Sequence, residues 1–304
     1  MEKQNEWVID SLVHDFEHHL LEVHGVSIET NRVYSRYVRR FIRTTFSGPT
    51  VDLALLHPTH LISFVIENAC RYKPKTSKLI SNSLRSFIRF LLVRGMCDAR
   101  LLHAVPAVHC WRHSDLPRSL TDTQVEQLLA SFDRSTAGGM RNYAILRFMV
   151  DLGLRCREVT SLLLEDIDWR KGIVQLSTTK SRRTDLLPLP NLVGKAVVEY
   201  LSKGRPPTDT RQVFVRHRPP VGEPLSRSGV KAMVRKAFHR AGIEAASAGT
   251  HILRHTTATR MITHGATLKE LADVLRHRHI DTTAIYAKVN LPALREVAIP
   301  WPEV

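Results

Sequence analysis

Apolar residues recur at helical spacing along most of this chain, and no other sequence feature constrains its fold as strongly. In residues 5–104, four segments place apolar side chains three and four positions apart, and two of these segments end at Gly25 and Gly95. Side chains at this spacing share one face of a helix, which becomes buried in the protein. The pattern therefore predicts four helices in this part of the chain, with basic residues along their flanks.

The helical pattern stops in residues 105–120, which contain two prolines and show little periodicity. Such composition is typical of a connection between domains. A chain of 304 residues has room for about two domains of ~150 residues each. We therefore predict a helical first domain at residues 1–105, a linker at 106–116 and a second domain at 117–304.

The second domain is predicted to combine helices with a strand pair. Thr121 and Gln124 have the spacing of a capping box, which marks the start of a helix, and Thr267 and Glu270 repeat it. Between residues 173 and 190, apolar and polar residues alternate on both sides of a polar, basic segment, as in a β-hairpin. The expected fold class is mainly α with a small β-sheet, an α+β domain that follows a helical one.

Other elements are expected around these. A helix is predicted at 191–202, a short strand at "QVFV" (residues 212–215) and an amphipathic helix through "SGVKAMVRKAFHRAG" (residues 228–242). Two further helices flank Gly265. Helix, glycine turn and helix is also the outline of a helix-turn-helix DNA reader.

The chain is strongly basic. It holds 44 Lys and Arg against 29 Asp and Glu, a net charge of +15; residues 1–105 hold 14 basic and 10 acidic residues, so residues 106–304 carry +11 of it. Such a charge favours a polyanionic partner, first of all nucleic acid. The four cysteines show no CxxC motif, as expected for reduced thiols in a cytosolic protein. No apolar run approaches ~18 residues and no signal peptide is evident, so no membrane segment is expected.

A cluster of basic and imidazole side chains precedes a tyrosine near the C-terminal end. The segment "LRHRHIDTTAIY" ends at Tyr286. A free phenol has a pKa of ~10 and needs a base or strong positive surroundings to act as a nucleophile. His251 and Arg254 share one predicted helix face, where an unpaired buried charge is costly, so we expect an anion there. Arg155 follows a glycine at a helix junction, a natural place to hold an oxyanion.

The order and spacing of these residues resemble the tyrosine recombinase, or phage-integrase-like, family. The catalytic domain of that family carries an Arg in a G-L-R-x-x-E element, a Lys on a β-hairpin, an H-x-x-R element and an L-G-H element whose His precedes a Tyr by nine residues. The matching segments here are "GLRCRE", "TTKSRR", "HILRH" and "LRHRHIDTTAIY", and the resemblance covers about residues 117–290. The matching residues are Arg155, Glu158, Lys180, His251, Arg254, His277 and Tyr286.

The resemblance implies a DNA strand transferase that uses neither a cofactor nor a metal. Arg155 and Arg254 would each give paired hydrogen bonds to one phosphate, with His277 as a further donor. Tyr286 would attack the phosphorus, with His251 as the base that takes its proton.

The remaining two residues have supporting parts in this scheme. Lys180 would protonate the departing 5′ oxygen, and Glu158 would orient a neighbour rather than react. The resemblance implies a 3′-phosphotyrosyl intermediate, which keeps the phosphodiester energy so that rejoining needs no ATP. The chain also lacks a GxxxxGK[ST] loop.

The resemblance further implies partners and a setting. The first domain resembles the family's helical, SAM-like core-binding domain, which grips DNA from the other side. A homotetramer would act on two double-stranded DNA recombination sites, in a cytoplasmic, nucleoid-associated protein that integrates or transposes a mobile element. The tail at 291–304 is apolar on one side, and we expect it to dock on a neighbouring subunit.

The sequence departs from the family pattern at one position. The glycine that usually precedes the second His is Arg276 here. We expect Arg276 to lie beside the catalytic residues rather than among them, and to add positive charge near the phosphate.

Two other functions of DNA-acting proteins stay open. The helices around Gly265 fit a non-catalytic helix-turn-helix regulator, although mere binding needs neither Tyr286 nor the pair Arg155 and Arg254. A type IB topoisomerase would share the chemistry but relax supercoils without a defined pair of sites.

Metal chemistry fits the sequence less well. His251, His255, His277 and His279 could approach a zinc ion, but Arg254, Arg276 and Arg278 would repel a dication. Magnesium-dependent transposition needs convergent carboxylates. Here Glu165, Asp166 and Asp168 crowd one short segment, which we expect to be a turn before the hairpin.

Overall fold

The computed structural model describes residues 6–109, 117–177, 184–244, 249–277 and 279–289. The chain divides into two units, Met1–Arg112 and His113–Val304. Among the described residues, no helix combines the length and the apolar composition that a membrane crossing requires.

Helices make up most of the first unit. In chain order its elements are β1 (Glu6–Val8), α1 (Ile9–Glu22), α2 (Ile28–Thr45), β2 (Thr50–Asp52), α3 (Pro58–Arg71), α4 (Pro74–Val93) and α5 (Arg100–Ala104). Ser27 caps α2 by accepting a hydrogen bond from the backbone N–H of Thr30. The four predicted helices are confirmed, whereas α5 and the antiparallel pair β1–β2, with Trp7 opposite Val51, were not predicted.

Aromatic side chains connect the helices of the first unit. The ring of Phe16 on α1 lies 5.4 Å from that of Phe87 and 5.6 Å from that of Phe90, both on α4. Phe41 on α2 and Phe64 on α3 lie 5.2 Å apart. Such pairs contribute about 0.5–1.5 kcal/mol beyond the burial of their area. The apolar faces seen in the sequence therefore form one core in this unit.

In the described part of the second unit, helices precede and follow a small sheet. Its elements are α6 (Asp122–Ala130), α7 (Ala137–Asp151), α8 (Cys156–Ser161), β3 (Ile167–Asp168), β4 (Ile173–Ser177), β5 (Thr184–Pro188), α9 (Asn191–Glu199), α10 (Arg227–Arg240), α11 (Thr250–Thr263) and α12 (Leu268–Leu275). Both predicted capping boxes are confirmed. The side chains of Thr121 and Gln124 bond each other's backbone N–H at α6, and Thr267 and Glu270 do so at α12.

The small sheet has the antiparallel order β3–β4–β5, with Val174 opposite Leu187. The predicted hairpin is confirmed as β4–β5, while its tip at 178–183 lies outside the described residues. The acidic segment forms a 3-10 turn at Leu164–Asp166 and then strand β3.

The predicted strand at 212–215 is wrong. That segment makes only isolated bridges, Leu163 with Gln212 and Val215 with Pro224. Its backbone pairs with two separate neighbours: the N–H of Val213 donates to the carbonyl of Leu162, and the N–H of Leu225 donates to the carbonyl of Phe214, so no continuous ladder forms with either.

Helix α11 is held in the core of the second unit by buried hydroxyl groups. The hydroxyl of Thr256 accepts a hydrogen bond from the backbone N–H of Leu120 at 2.9 Å. The hydroxyl of Thr257 donates to the carbonyl of Val150 on α7 at 2.7 Å. Because both sides of α11 are anchored, the residues that it carries have fixed positions relative to α7.

Candidate active site

A glycine turn between α7 and α8 determines where Arg155 lies. Gly153 has φ +60°, and a Cβ added there would lie 2.7 Å from Cδ2 of Leu275 at the end of α12. The glycine thus permits both the left-handed turn and the close approach of α12. Arg155 follows as the N-cap of α8, with its side chain 39% exposed. A cation at this position is open to a ligand from solvent.

Glu158 holds Arg155 in this conformation. Its Oε2 accepts a hydrogen bond from the backbone N–H of Arg155 at 2.7 Å, and its Oε1 accepts one from Nη1 of Arg155 at 2.8 Å. Burial opposes ionisation of Glu158. The charges of Arg276 and Arg155 and the backbone N–H of Arg155 outweigh that penalty and lower the pKa of the carboxyl group. Glu158 is therefore an ionised, mostly buried carboxylate that orients an arginine.

Arg254 brings a second guanidinium to the same place from α11. It is 6% exposed, and it donates to the carbonyl of Gly153 at 2.6 Å and to the carbonyl of Leu275. Burial, and then repulsion from Arg155, lower its pKa to about 9. Arg254 is still charged at neutral pH. An anion bound beside it would offset the repulsion from Arg155 and stabilise the charged form.

A cavity of about 200 Å³ opens beside these two arginines. Its charged and imidazole lining residues are Arg155, Arg157, Arg227, Lys231, Arg254 and His251. None of the described residues that line it is acidic. A concave surface with cations and no carboxylates is suited to a phosphate group.

His277 follows α12 and is kept neutral. Burial, and then the charges of Arg254 and Arg155, lower its pKa to about 4. Nδ1 of His277 shares a 2.7 Å hydrogen bond with the hydroxyl of Thr283. If the threonine donates, the ring proton lies on Nε2 and makes His277 a neutral hydrogen-bond donor.

Tyr286 is buried between α11 and α12. Its side chain is 2% exposed and belongs to an apolar cluster with Ala258, Ile262, Leu271 and Leu275. The phenol hydroxyl shares a 2.7 Å hydrogen bond with Nδ1 of His255. Burial raises the pKa of Tyr286 to about 12, partly offset by the charge of Arg254. In this conformation the phenol is protonated and shielded from solvent.

The structure brings most of the predicted site residues together. Arg155, Arg254 and His251 line one cavity, Glu158 bonds to Arg155, and the charge of Arg254 acts on both His277 and Tyr286. The imidazole that contacts Tyr286 is His255 and not the predicted base His251. Lys180 and the tail at 291–304 lie outside the described residues.

Three residues near this site were not predicted to take part. The sequence suggests only a zinc-ligand role for His255, suggests no role for Thr283, and predicts that Arg276 lies beside the catalytic residues. Arg276 instead contacts the predicted site directly, because its Nη2 donates to Oε2 of Glu158 at 2.7 Å. The one signal in the sequence was the departure from glycine at position 276.

The described part of the chain contains no group of three or more His, Cys, Asp and Glu placed to hold a metal ion. The imidazoles of His251 and His255 lie near Arg254. Burial is the main cause that lowers the pKa of His255, followed by the charges of His251 and Arg254.

Comparison with known proteins agrees with this geometry. Residues 118–291 match the family described as the phage integrase family. The integrase/recombinase y4rA of Sinorhizobium fredii is 38% identical over 98% of this chain and 72% of its own length. Tyrosine recombinase XerD of Listeria monocytogenes is 29% identical over 95% of this chain and 97% of its own.

Solved structures show the same fold at low identity. XerH recombinase bound to palindromic difH substrate, in a post-cleavage complex, has a TM-score of 0.74 and 18% identity over 96% of this chain and 85% of that chain. The Tn1549 transposon integrase with transposon right end DNA has a TM-score of 0.70 and 16% identity over 96% of this chain and 100% of that chain. The expected α+β fold of the catalytic domain is thereby confirmed. On the family match, the relatives and this fold together, the chain belongs to the phage integrase family and is a tyrosine recombinase.

Proposed function

We propose that this chain cleaves and rejoins DNA at specific sites through a covalent bond between Tyr286 and a 3′ phosphate. The observation that carries the proposal is the shared cavity of Arg155 and Arg254, which come from distant parts of the chain. Tyr286 is hydrogen-bonded to His255, the residue that follows Arg254 on α11.

The cavity would bind the scissile phosphate. Arg155 and Arg254 donate to its non-bridging oxygens, and neutral His277 adds a hydrogen bond. These donors are most effective when negative charge develops on the oxygens in the transition state. The low pKa of His277 supports a hydrogen-bond donor rather than a proton donor at neutral pH.

Tyr286 would leave its buried position before it reacts. It lies in a short 3-10 segment, Ala284–Val289, which follows another short 3-10 segment, Ile280–Thr282, rather than a long helix. Burial of a side chain of this size is worth roughly 1.5–3 kcal/mol. DNA contacts in the cavity would offset that cost, so that the nucleophile is exposed only when a phosphate is bound.

The bond changes then balance within the protein and DNA. The Tyr286 oxygen bonds to phosphorus as the bond to the 5′ oxygen breaks, and the phenol proton passes to a neighbouring imidazole, His255 or His251. Lys180 protonates the 5′ oxygen, which leaves as a hydroxyl. Attack by a 5′ hydroxyl on the phosphotyrosine reverses these steps and rejoins a strand.

Double-stranded DNA is the proposed substrate. The net charge of +15 and the cation-lined cavity support it, as do the similar structures of the lambda integrase bound to DNA and of the Tn1549 transposon integrase in complex with transposon right end DNA. In this proposal the helical unit that precedes the linker at 106–116 binds DNA, and residues 117–304 carry out catalysis. A tetramer is proposed because a lambda integrase tetramer bound to a Holliday junction shares the fold, with a TM-score of 0.69.

A mobile element is the proposed setting. The structurally similar Tn1549 transposon integrase supports this choice over chromosome maintenance, and relatives from Sinorhizobium fredii carry the name integrase/recombinase.

Covalent capture tests the chemistry. Selection from a random duplex library on the purified full-length chain would first yield the DNA that it binds. That DNA is then nicked near the cleavage position, so that the free 5′ strand diffuses away after attack. We expect a protein–DNA adduct that retains label on the 3′ phosphate side, and no adduct with Tyr286→Phe.

The alternatives give different results in the same experiment. Selected binding without an adduct in wild-type protein would overturn the proposal in favour of a DNA-binding regulator. Relaxation of supercoiled plasmid lacking the selected site, at the rate seen with the site, would favour a topoisomerase.

A further inference from the structure

Arg276 has a backbone conformation that is unusual for a residue with a side chain. It ends α12 with φ 55° and ψ 52°, and it is the one non-glycine residue with positive φ in the described part of the chain. Left-handed backbone brings Cβ close to the following carbonyl, which is why glycine is favoured there. Glycine is also what the family pattern has at this position. An arginine here needs compensation from its side chain.

The side chain of Arg276 folds back into the candidate site. It is 4% exposed, Nη1 donates to the carbonyl of Val274 at 2.8 Å, and Nη2 donates to Oε2 of Glu158 at 2.7 Å. The same Oε2 accepts the backbone N–H of Arg155. Arg276 therefore connects the end of α12 to the start of α8 across 118 residues of sequence.

This contact changes the charge that Arg155 can offer to a phosphate. Glu158 and Arg155 alone form a neutral pair, and the carboxylate would compete with a phosphate for the guanidinium. A second guanidinium on Glu158 leaves the group of three with a net charge of +1. The bond to Val274 fixes that guanidinium relative to the chain that leads to His277.

We propose that Arg276 is a positioning residue for strand cleavage: through Glu158 it fixes Arg155 and frees its charge for the scissile phosphate. Arg276 does not touch the DNA in this scheme. The inference rests on the proposed function, because it assigns a role within the same reaction.

Replacement by glycine separates this role from a purely structural one. Glycine suits the left-handed backbone but cannot reach Glu158. We expect Arg276→Gly in the full-length protein to remain folded, because relief of the left-handed backbone partly offsets the lost ion pair, and to bind the selected duplex within about twofold of wild type. The single-turnover rate of adduct formation at saturating DNA should fall about 10–100-fold, as when a group that orients a catalytic residue is lost. Arg276→Lys should recover part of that rate, since a single ammonium can still pair with Glu158.

A double-mutant cycle with Glu158 shows whether the glycine change acts through that carboxylate. In a Glu158→Gln background, Arg276→Gly should cost less than threefold in rate, because the carboxylate through which Arg276 acts is gone. Equal losses in both backgrounds would overturn the inference, and so would a wild-type rate in Arg276→Gly. Failure of wild-type protein to form an adduct would instead overturn the proposed function and this inference with it.

Discussion

The hydroxyl of Tyr286 and Nδ1 of His255 share a hydrogen bond of 2.7 Å, while the tyrosine ring is 2% exposed. Burial raises the pKa of the phenol to about 12, and burial lowers the pKa of His255, so the pair is neutral at pH 7. The proposed nucleophile is thus protonated and out of reach in this conformation. Activity would require movement of the segment that carries it.

The hydrogen bond between His255 and Tyr286 predicts that substitutions of the two residues have non-additive effects on the free energy of unfolding. His255→Ala leaves a buried hydroxyl without its partner and should lower the free energy of unfolding by about 1–3 kcal/mol. Tyr286→Phe should cost less, about 0.5–1.5 kcal/mol. Urea denaturation of both single variants and the double variant should give a coupling energy of about 1 kcal/mol. His251→Ala, which removes an exposed imidazole one helical turn away, serves as control and should not couple to Tyr286→Phe. Additive losses for His255 and Tyr286 would contradict the hydrogen bond.

Substitutions of Arg155 and Arg254 should differ in their effect on protein stability but not in their effect on catalysis. Arg155→Ala and Arg254→Ala should each slow adduct formation by about 10²–10³-fold, the usual cost of one transition-state donor. Arg254→Ala also leaves the carbonyls of Gly153 and Leu275 without this donor, at about 1–3 kcal/mol for each unsatisfied group. Arg155 is partly exposed and Glu158 keeps Arg276, so Arg155→Ala should cost about 1 kcal/mol or less. Equal melting temperatures for the two variants would contradict this expected difference.

Gly153→Ala tests the close approach of α12, and Gly172→Ala is its matched control. Both glycines have φ near +60°, so each alanine should cost about 1–2 kcal/mol for the left-handed backbone. Only at Gly153 would the new Cβ meet another residue, Leu275, at 2.7 Å; at Gly172 nothing lies within 4 Å. We expect a further loss of about 1–3 kcal/mol at Gly153 alone, from overpacking. Equal unfolding free energies for the two variants would show that α12 does not pack against this turn.

His277 predicts a dependence of stability on pH. Its pKa is lowered from 6.5 to about 4 in the folded protein, with burial as the main cause. Between pH 6.5 and 4 the unfolded chain therefore binds a proton at His277 and the folded chain does not. The contribution of His277 to stability is complete above pH 6.5 and is lost as the pH falls towards 4. Urea midpoints between pH 7 and 4 should fall less steeply for His277→Asn than for wild type. Parallel curves would mean that the imidazole is not shielded, and NMR titration of its ring protons would show that directly.

Much of this protein follows from local signals in its sequence. The capping boxes at Thr121 and Thr267 predicted the starts of α6 and α12, because both partners lie within one turn. Alternating residues predicted β4 and β5. The order and spacing of Arg155, Arg254, His277 and Tyr286 predicted the family without any knowledge of contacts between them. The error at 212–215 has the converse cause, since strand pairing depends on a partner that a short apolar segment does not specify.

The sequence by itself determined the residue types, their order and the helix faces that carry them. Only the tertiary structure decided their partners: His251 and His255 share one face of α11, and the packing of Ala284–Val289 places the phenol against His255. Likewise, the sequence showed that position 276 is not glycine, but not that its side chain pairs with Glu158. Helical periodicity is a property of a few consecutive residues, whereas a contact between residues far apart in the chain depends on how whole elements pack.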